Sequence, residues 1–263
     1  MTREEWLPQG AAAMELIHRS DFRVASYHVG PRGEVPPWAL MGFFEHAAGE
    51  HAASWKLSVM DLLPRGLSWV LSRYHLQLLR PLCYGEGVEV STWPSGRSTM
   101  FATRDFEAVG TDGRPVALAT TSWVLIDVRQ KKPVPVAEVV PETFALERRS
   151  LADSFSALPK LEAHAAAPPV ELPVMRRDLD LNEHVNHTVY VQWALEAVAS
   201  EMLPGLRPVA IEVSYRAEAR RGDRIRSLAS GPQQAGERRV MLHQIAHCAE
   251  GSELARLRTT WGR

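Results

Sequence analysis

The feature that most constrains this chain is an internal repeat. Gly85 stands 38 residues before Trp123, and Gly222 stands 39 before Trp261. In the earlier stretch, alternating apolar and polar residues from Leu67 to Leu79 lead into Gly85-Glu86-Gly87-Val88-Glu89-Val90. A second run covers Phe101 to Val109 and turns at Thr111-Asp112-Gly113-Arg114, and a third, from Val116, carries Thr121-Ser122-Trp123. In the later stretch, Val209 to Ala219 leads into Gly222-Asp223-Arg224-Ile225, then Arg239 to Cys248 turns at Ala249-Glu250-Gly251-Ser252. The last run ends in Thr259-Thr260-Trp261. Period-two alternation is the signature of half-buried strands, and Asp-Gly or Glu-Gly between two such runs signals a hairpin. Two stretches with the same ordered signals predict one antiparallel unit written twice.

One helix is expected ahead of each set of strands. Pro36-Pro37 opens the first, which presents Leu40, Phe43, Phe44, Ala47, Ala48 and His51 at helical spacing. The second is expected from about Asn186 to Met202, presenting Val189, Tyr190, Trp193, Ala194, Ala197 and Val198 before Pro204-Gly205. Each half therefore reads strand, long apolar helix, several strands, an α+β arrangement. Between the halves, Ala163 to Pro169 is nearly all Ala and Pro, and a short helix is expected around Pro141 to Ser150. We divide the chain at 1–137, a linker 138–169, and 170–263. A length of 263 residues suits two domains of roughly 100–150 residues each.

Composition narrows the function classes. Hydrophobic residues make up 45% of the chain and charged residues 23%, as in ordinary globular proteins. No run approaches the roughly 18 apolar residues of a membrane helix, so no membrane role is expected. Met1 to Gly10 carries acids and a proline where an export signal needs a basic start and an apolar core, and the expected location is the cytoplasm. A net charge of −1 argues against a nucleic-acid partner. Cys83 and Cys248 cannot build a disulfide framework, and no Cys or His spacing suggests a metal. Both are expected as buried, inert thiols, and no cofactor is called for.

One segment resists a purely structural reading. Asp178-Leu179-Asp180-Leu181-Asn182-Glu183-His184-Val185-Asn186-His187 holds two aspartates, two asparagines and two histidines just before an apolar helix. The first N–H groups of a helix lack intrahelical partners and attract negative charge. Alternation predicts Asp180, Asn182 and His184 on one side of an extended loop, with Leu179, Leu181 and Val185 on the other. Any one of these residues alone suits a helix cap or exposed surface. Together they assemble an acid, an amide and an imidazole.

This segment, followed by Tyr190 and Trp193, resembles the signature of the acyl-ACP thioesterases of plants and bacteria, and more loosely of hotdog thioesterases. The other half is similar too. It carries Glu45, Ala48 and His51-Ala52 on the helix, then Trp69-Val70-Leu71-Ser72-Arg73, Thr92-Trp93, Arg104-Asp105-Phe106 and Ser122-Trp123-Val124-Leu125-Ile126-Asp127. The resemblance implies two tandem hotdog domains forming an intrachain pseudo-dimer. Pairing of two such pseudo-dimers into a homodimer is left open.

The implied activity is hydrolysis of the thioester joining a fatty acyl chain to the phosphopantetheine of acyl carrier protein. Asp180, Asn182 and His184 would belong to the site, and the family's later acid falls on Glu218 in Tyr215-Arg216-Ala217-Glu218-Ala219. Glu218 would act as general base on water, His184 and Asn182 would orient that water or the carbonyl, and Asp180 would hold them. N–H groups at the helix start would meet the oxyanion. Periodicity alone places Glu218 with Glu212, Ser214 and Arg216 on a solvent-facing strand edge.

Several plant members carry a cysteine after that glutamate; here the position is Ala219, so direct hydrolysis without an acyl-enzyme is expected. His187 stands where the family often has a second asparagine. The first half has Gly30-Pro31-Arg32-Gly33-Glu34 where the second has its chemical segment, so one active site per chain is expected. The resemblance gives that half the acyl pocket, with Met41, Phe43, Phe44 and Trp69 as candidate lining or, each of them, ordinary core. Arg176, Arg177, Arg216, Arg220 and Arg221 are candidates to meet an acidic carrier or the pantetheine phosphate. The alternatives are a small-molecule acyl-CoA or polyketide-carrier thioesterase, and a hotdog that senses an acyl thioester without hydrolysing it.

Overall fold

The computed structural model describes residues 15–141, 144–161 and 168–263. They divide into two units. The first takes the chain up to Ser72 together with Leu79–Ala152; the second takes Arg73–Leu78 together with Asp153–Arg263.

The first unit runs β1 (His18–Arg23), a 3-10 turn at Ser26–His28, α1 (Pro37–Ser54), a short α2 (Val59–Leu62), β2 (Leu67–Leu78), β3 (Gly87–Arg97), β4 (Ala102–Gly110), β5 (Pro115–Asp127) and a short β6 (Lys132–Val134). The second runs β7 (Val170–Pro173), a 3-10 turn at Arg176–Asp178, α3 (His187–Glu196), a 3-10 turn at Ser200–Met202, β8 (Arg207–Tyr215), β9 (Arg224–Ala229), β10 (Gln233–Ala235), β11 (Arg238–His247) and β12 (Glu253–Gly262). The sheet order is β1-β3-β4-β5-β2 in one and β7-β9-β11-β12-β8 in the other, the same order in each copy. The far half of β2 belongs to the second unit, where Arg73–Gln77 pair antiparallel with Ser214–Ala210 of β8. Among the described residues no helix is long and apolar enough to cross a membrane.

The repeat holds at the level of single hydrogen bonds. Trp123 Nε1 donates to Thr121 Oγ1 at 2.8 Å, and Trp261 Nε1 donates to Thr259 Oγ1 at 2.8 Å. Gly85 and Gly222 adopt φ of 83° and 94°, a left-handed turn that an L side chain resists. The glycine and tryptophan landmarks therefore mark the same turn and the same strand in both copies.

Each helix buries one stripe against its sheet. Leu40, Met41, Phe43, Phe44, Ala47 and His51 of α1 are buried, and the helix packs on β1 and β3. Phe44 is fully buried and stacks on Phe106 at 5.0 Å; losing such a ring costs about 3–5 kcal/mol. Val189, Tyr190, Val191, Trp193 and Ala194 of α3 are buried against β9, β11 and β12. This second helix stops at Glu196, six residues short of the expected Met202. The chain becomes extended at Ala199, and a 3-10 turn then brings Leu203 into a cluster with Ala197, Ala229, Met241 and Trp261. Tertiary packing there outweighs helical propensity.

Of the helix expected at 141–150, the described residues show a 3-10 position at Phe144 and no helix over 145–150, and 142–143 lie outside the described residues. The backbone groups a helix would use are taken by the first unit's sheet. Buried Asp105 accepts from the Ser150 N–H at 2.8 Å and its hydroxyl at 2.9 Å, and Arg149 Nε stands 3.2 Å away. Trp93 Nε1 donates to the Arg148 carbonyl at 2.8 Å, and Leu146 N–H donates to the Pro94 carbonyl at 2.8 Å. In the second unit, Asp153 bonds His75 Nδ1 at 2.8 Å, and Arg256 donates to the Leu158 carbonyl at 2.6 Å. Residues 162–167, most of the Ala-Pro run, lie outside the described residues.

Candidate active site

The segment before α3 is a closed turn, not the extended loop that alternation predicts. Asp180 closes it: its Oδ1 accepts the Asn182 N–H at 2.8 Å and the His184 N–H at 3.2 Å, while its own N–H donates to the His184 carbonyl at 2.8 Å. Glu183 takes φ of 59°, and Leu179 bridges Val185 across the base. Asp180 thus points into its own turn instead of standing beside Asn182 and His184. Leu179, expected on the opposite side, shares a cleft with them, and Leu181 is 82% exposed.

Asn186 caps α3. Its Oδ1 accepts the Thr188 N–H at 2.9 Å and the Thr188 hydroxyl at 2.7 Å. The Val189 N–H donates to the Asn186 carbonyl at 3.0 Å. Two early N–H groups of the helix are therefore spent, and its start is a weaker oxyanion site than the sequence suggests. Asp178 accepts the Met175 N–H at 2.7 Å and closes the preceding turn. The His187 ring stacks on Tyr74 at 6.0 Å between centroids, and its carbonyl accepts the Tyr215 hydroxyl at 3.0 Å.

Glu218 does not sit on a strand. β8 ends at Tyr215, because the N–H groups of both Arg216 and Ala217 turn to the Leu254 carbonyl. The chain then loops outward and returns so that the Val185 N–H reaches the Ala219 carbonyl at 3.0 Å and His184 bridges Arg220. This loop carries Glu218 to His184: Oε2 lies 3.2 Å from Nε2. Arg220 Nη2 stands 3.0 Å from the same nitrogen and 3.8 Å from Glu218 Oε2.

Asn182 and His184 line a cleft of about 720 Å³ with Leu179, Glu183, Arg176, Arg220 and Arg221. Three arginines at its wall suit an anionic substrate arm. Arg177 is an exposed side chain 3.8 Å from Asp178. Arg216 lies elsewhere: its Nε pairs with Glu253 at 3.0 Å, and it lines a second cavity of about 510 Å³ with Arg73, Ser214, Tyr215 and Glu253. Of the five arginines grouped by sequence, Arg176, Arg220 and Arg221 share the Asn182–His184 cleft.

The four apolar candidates pack as core of the first unit. Met41 and Phe44 are fully buried, Phe43 stacks on Phe22 at 4.6 Å, and Trp69 donates from Nε1 to the Leu57 carbonyl at 3.0 Å. Cys83 and Cys248 are free and half-buried, not buried as expected. Burial, and after it the neighbouring Glu86 carboxylate, pushes the Cys83 thiol above its ordinary pKa, which disfavours the thiolate.

Sequence reasoning placed Tyr190 on an apolar helix face and in the motif that carries the family resemblance, and gave it no role in the site. Its hydroxyl accepts the Ala219 N–H at 3.0 Å and donates to the Ala217 carbonyl at 3.5 Å. The physical signal in the sequence was a phenol on an otherwise apolar stripe, since a buried Tyr hydroxyl needs a partner.

Comparison with known proteins bears on family and fold. The acyl-ACP thioesterase N-terminal domain family matches residues 15–144, and the C-terminal domain family matches 162–263. A chloroplastic oleoyl-acyl carrier protein thioesterase of Arabidopsis thaliana is 25% identical over 94% of this chain and 76% of its own. A chloroplastic dodecanoyl-[acyl-carrier-protein] hydrolase of Umbellularia californica is 28% identical over 94% and 68%. The solved 12:0-ACP thioesterase from Umbellularia californica superposes with a TM-score of 0.83 at 27% identity, covering 94% of each chain. An acyl-ACP thioesterase from Bacteroides thetaiotaomicron shares the fold, with a TM-score of 0.80 at 21% identity over 99% of this chain and 100% of its own. With two units of one strand order, each laid against a helix, and both family domains matched in sequence, the chain belongs to the acyl-ACP thioesterase family and has its tandem hotdog fold.

Proposed function

We propose that the chain hydrolyses the thioester between a fatty acyl group and the phosphopantetheine arm of acyl carrier protein, by direct attack of water. The observation that carries this reading is the meeting of Glu218 and His184 at 3.2 Å, with His184 and Asn182 on one cleft. A carboxylate there accepts the proton of a water as that water attacks the carbonyl carbon. His184 and the Asn182 amide orient the water or the carbonyl, and Asp180 holds their backbone. The thiol of the arm leaves and takes up the proton, so no acyl-enzyme, metal or redox cofactor is needed. Arg176, Arg220 and Arg221 provide positive charge for the phosphate of the arm or the acidic surface of the carrier. Met41, Phe43, Phe44 and Trp69 pack as core of the half to which the resemblance gives the acyl pocket, and a changed chain-length preference in Phe43→Leu would support a lining role.

The test is thiol release from acyl-ACP across chain lengths, with acyl-CoA of equal length beside it, for the native protein and for Asn182→Ala, His184→Ala and Glu218→Gln. We expect release of holo-ACP and a loss of about 10²- to 10⁴-fold in Glu218→Gln. Full activity in Glu218→Gln would remove it as the base. Preference for acyl-CoA would change the carrier, and tight binding without thiol release would make the protein a sensor.

A further inference from the structure

Glu218 lies on an exposed loop between two alanines, and its own side chain is 44% exposed. A carboxylate on such a loop samples many positions unless its backbone is held. The peptide groups on either side of it meet one hydroxyl: the Ala219 N–H donates to Tyr190 Oη at 3.0 Å, and Tyr190 Oη donates to the Ala217 carbonyl at 3.5 Å. Tyr190 is itself fixed. It is 3% exposed on α3, with Trp193 and Tyr215 packed edge-on at 5.3 and 5.7 Å. Burial pushes its phenol up to about 12, so it stays neutral and keeps both its donor and its acceptor.

We propose that Tyr190 is a positioning residue for hydrolysis, clamping the 217–219 backbone from the helix so that the Glu218 carboxylate is held against His184. The inference rests on the proposed role of Glu218. It also makes α3 the common support of the site: the helix's cap residue, Asn186, comes two positions after His184, and one turn on, its tyrosine holds the loop that faces the Asp180–His184 turn. An error near 1 Å in placing a reacting group can cost on the order of 10²-fold in rate.

Tyr190→Phe removes the hydroxyl and keeps the ring. We expect kcat to fall by about 10- to 100-fold with KM within about twofold of native. A general weakening of the fold would lower activity by the same factor whether or not Glu218 is present. The deciding measurement is therefore Tyr190→Phe in a Glu218→Gln background, where no further loss is expected. An equal loss in both backgrounds, or a rise in KM matching the fall in kcat/KM, would overturn the clamp. If Tyr190→Phe does not fold, 3-fluorotyrosine placed at position 190 keeps ring and hydroxyl but weakens the acceptor. A drop in kcat supports the clamp, and an unchanged kcat overturns it. Full activity in Glu218→Gln alone would be a different failure, that of the proposed base, and would remove the clamp's purpose with it.

Discussion

His184 Nε2 faces the Glu218 carboxylate at 3.2 Å and the Arg220 guanidinium at 3.0 Å. One ring nitrogen thus has an acceptor and a donor within reach, and which of them it bonds depends on its own proton. A histidine so placed can pass from receiving the Arg220 N–H to donating toward Glu218 with little movement of the ring. Groups that act as a unit lose activity non-additively. His184→Ala and Glu218→Gln should each lower kcat by about 10²- to 10⁴-fold, and the double variant should be scarcely worse than the poorer single one. Steady-state thiol release from acyl-ACP measures all three. Multiplying losses would mean the two act independently.

Asp180 works on backbone, not on substrate, if its two bonds from the Asn182 and His184 N–H groups are its main role. Asp180→Asn retains an acceptor oxygen and should keep most activity. Asp180→Ala should lower kcat by about 10- to 100-fold through a loosened turn. Equal, severe losses in both would indicate that the carboxylate's charge takes part in the reaction.

The left-handed backbone at Glu183 gives an independent check on that turn. Its φ of 59° suits glycine better than glutamate. Glu183→Gly should leave the melting temperature unchanged or raise it, while Glu183→Val should destabilise the protein by about 1–2 kcal/mol in urea unfolding. Catalysis should follow the turn, falling in the valine variant only.

Direct hydrolysis needs no thiol: position 219 is a fully buried alanine, and the Cys83 thiol is pushed above its ordinary pKa. The variant carrying both Cys83→Ser and Cys248→Ser should retain native turnover. Intact-mass spectrometry during a single turnover should find no acyl adduct; one on either cysteine would sink the direct-hydrolysis reading.

Stability should fall on mild acidification because of two buried imidazoles. Burial lowers His51 to about 4 and His243 to about 4, against an ordinary 6.5. Each is therefore neutral in the fold, and the unfolded chain takes up the proton first. Their contribution is complete above about pH 6.5 and is lost as pH falls toward 4, by about 2 kcal/mol each between pH 7 and 5. Urea unfolding at the two pH values measures it, and His243→Gln should shrink the difference.

Much of this was legible in the residues alone, and for local reasons. A strand's period, a hairpin's Asp-Gly and a helix's apolar stripe are short-range signals. The Gly–Trp spacing of the repeat therefore located matching turns and strands that share even the Trp-to-Thr hydrogen bond. The Asp-Asn-His segment stood out because its two aspartates, two asparagines and two histidines fall within ten consecutive positions. What reached beyond local pattern was misread or invisible. Asp105 was one landmark among several until its carboxylate gathered Ser150 and Arg149 and cancelled a helix. Periodicity alone made Glu218 a strand residue, and only the resemblance put it with His184; in the structure the 216 and 217 N–H groups turn to the Leu254 carbonyl and the strand ends.

Sequence by itself determined the duplicated antiparallel units, their helices and the residue types available for chemistry, because each depends on neighbours within a few positions. Only the tertiary structure decided that His184 and Glu218, 34 positions apart, stand in contact, that Asp180 braces a turn, and that Tyr190 reaches the loop beside Glu218. Those relationships hang on which backbone groups are left unpaired when strands end, and unpaired buried groups find their partners only once the whole unit is packed.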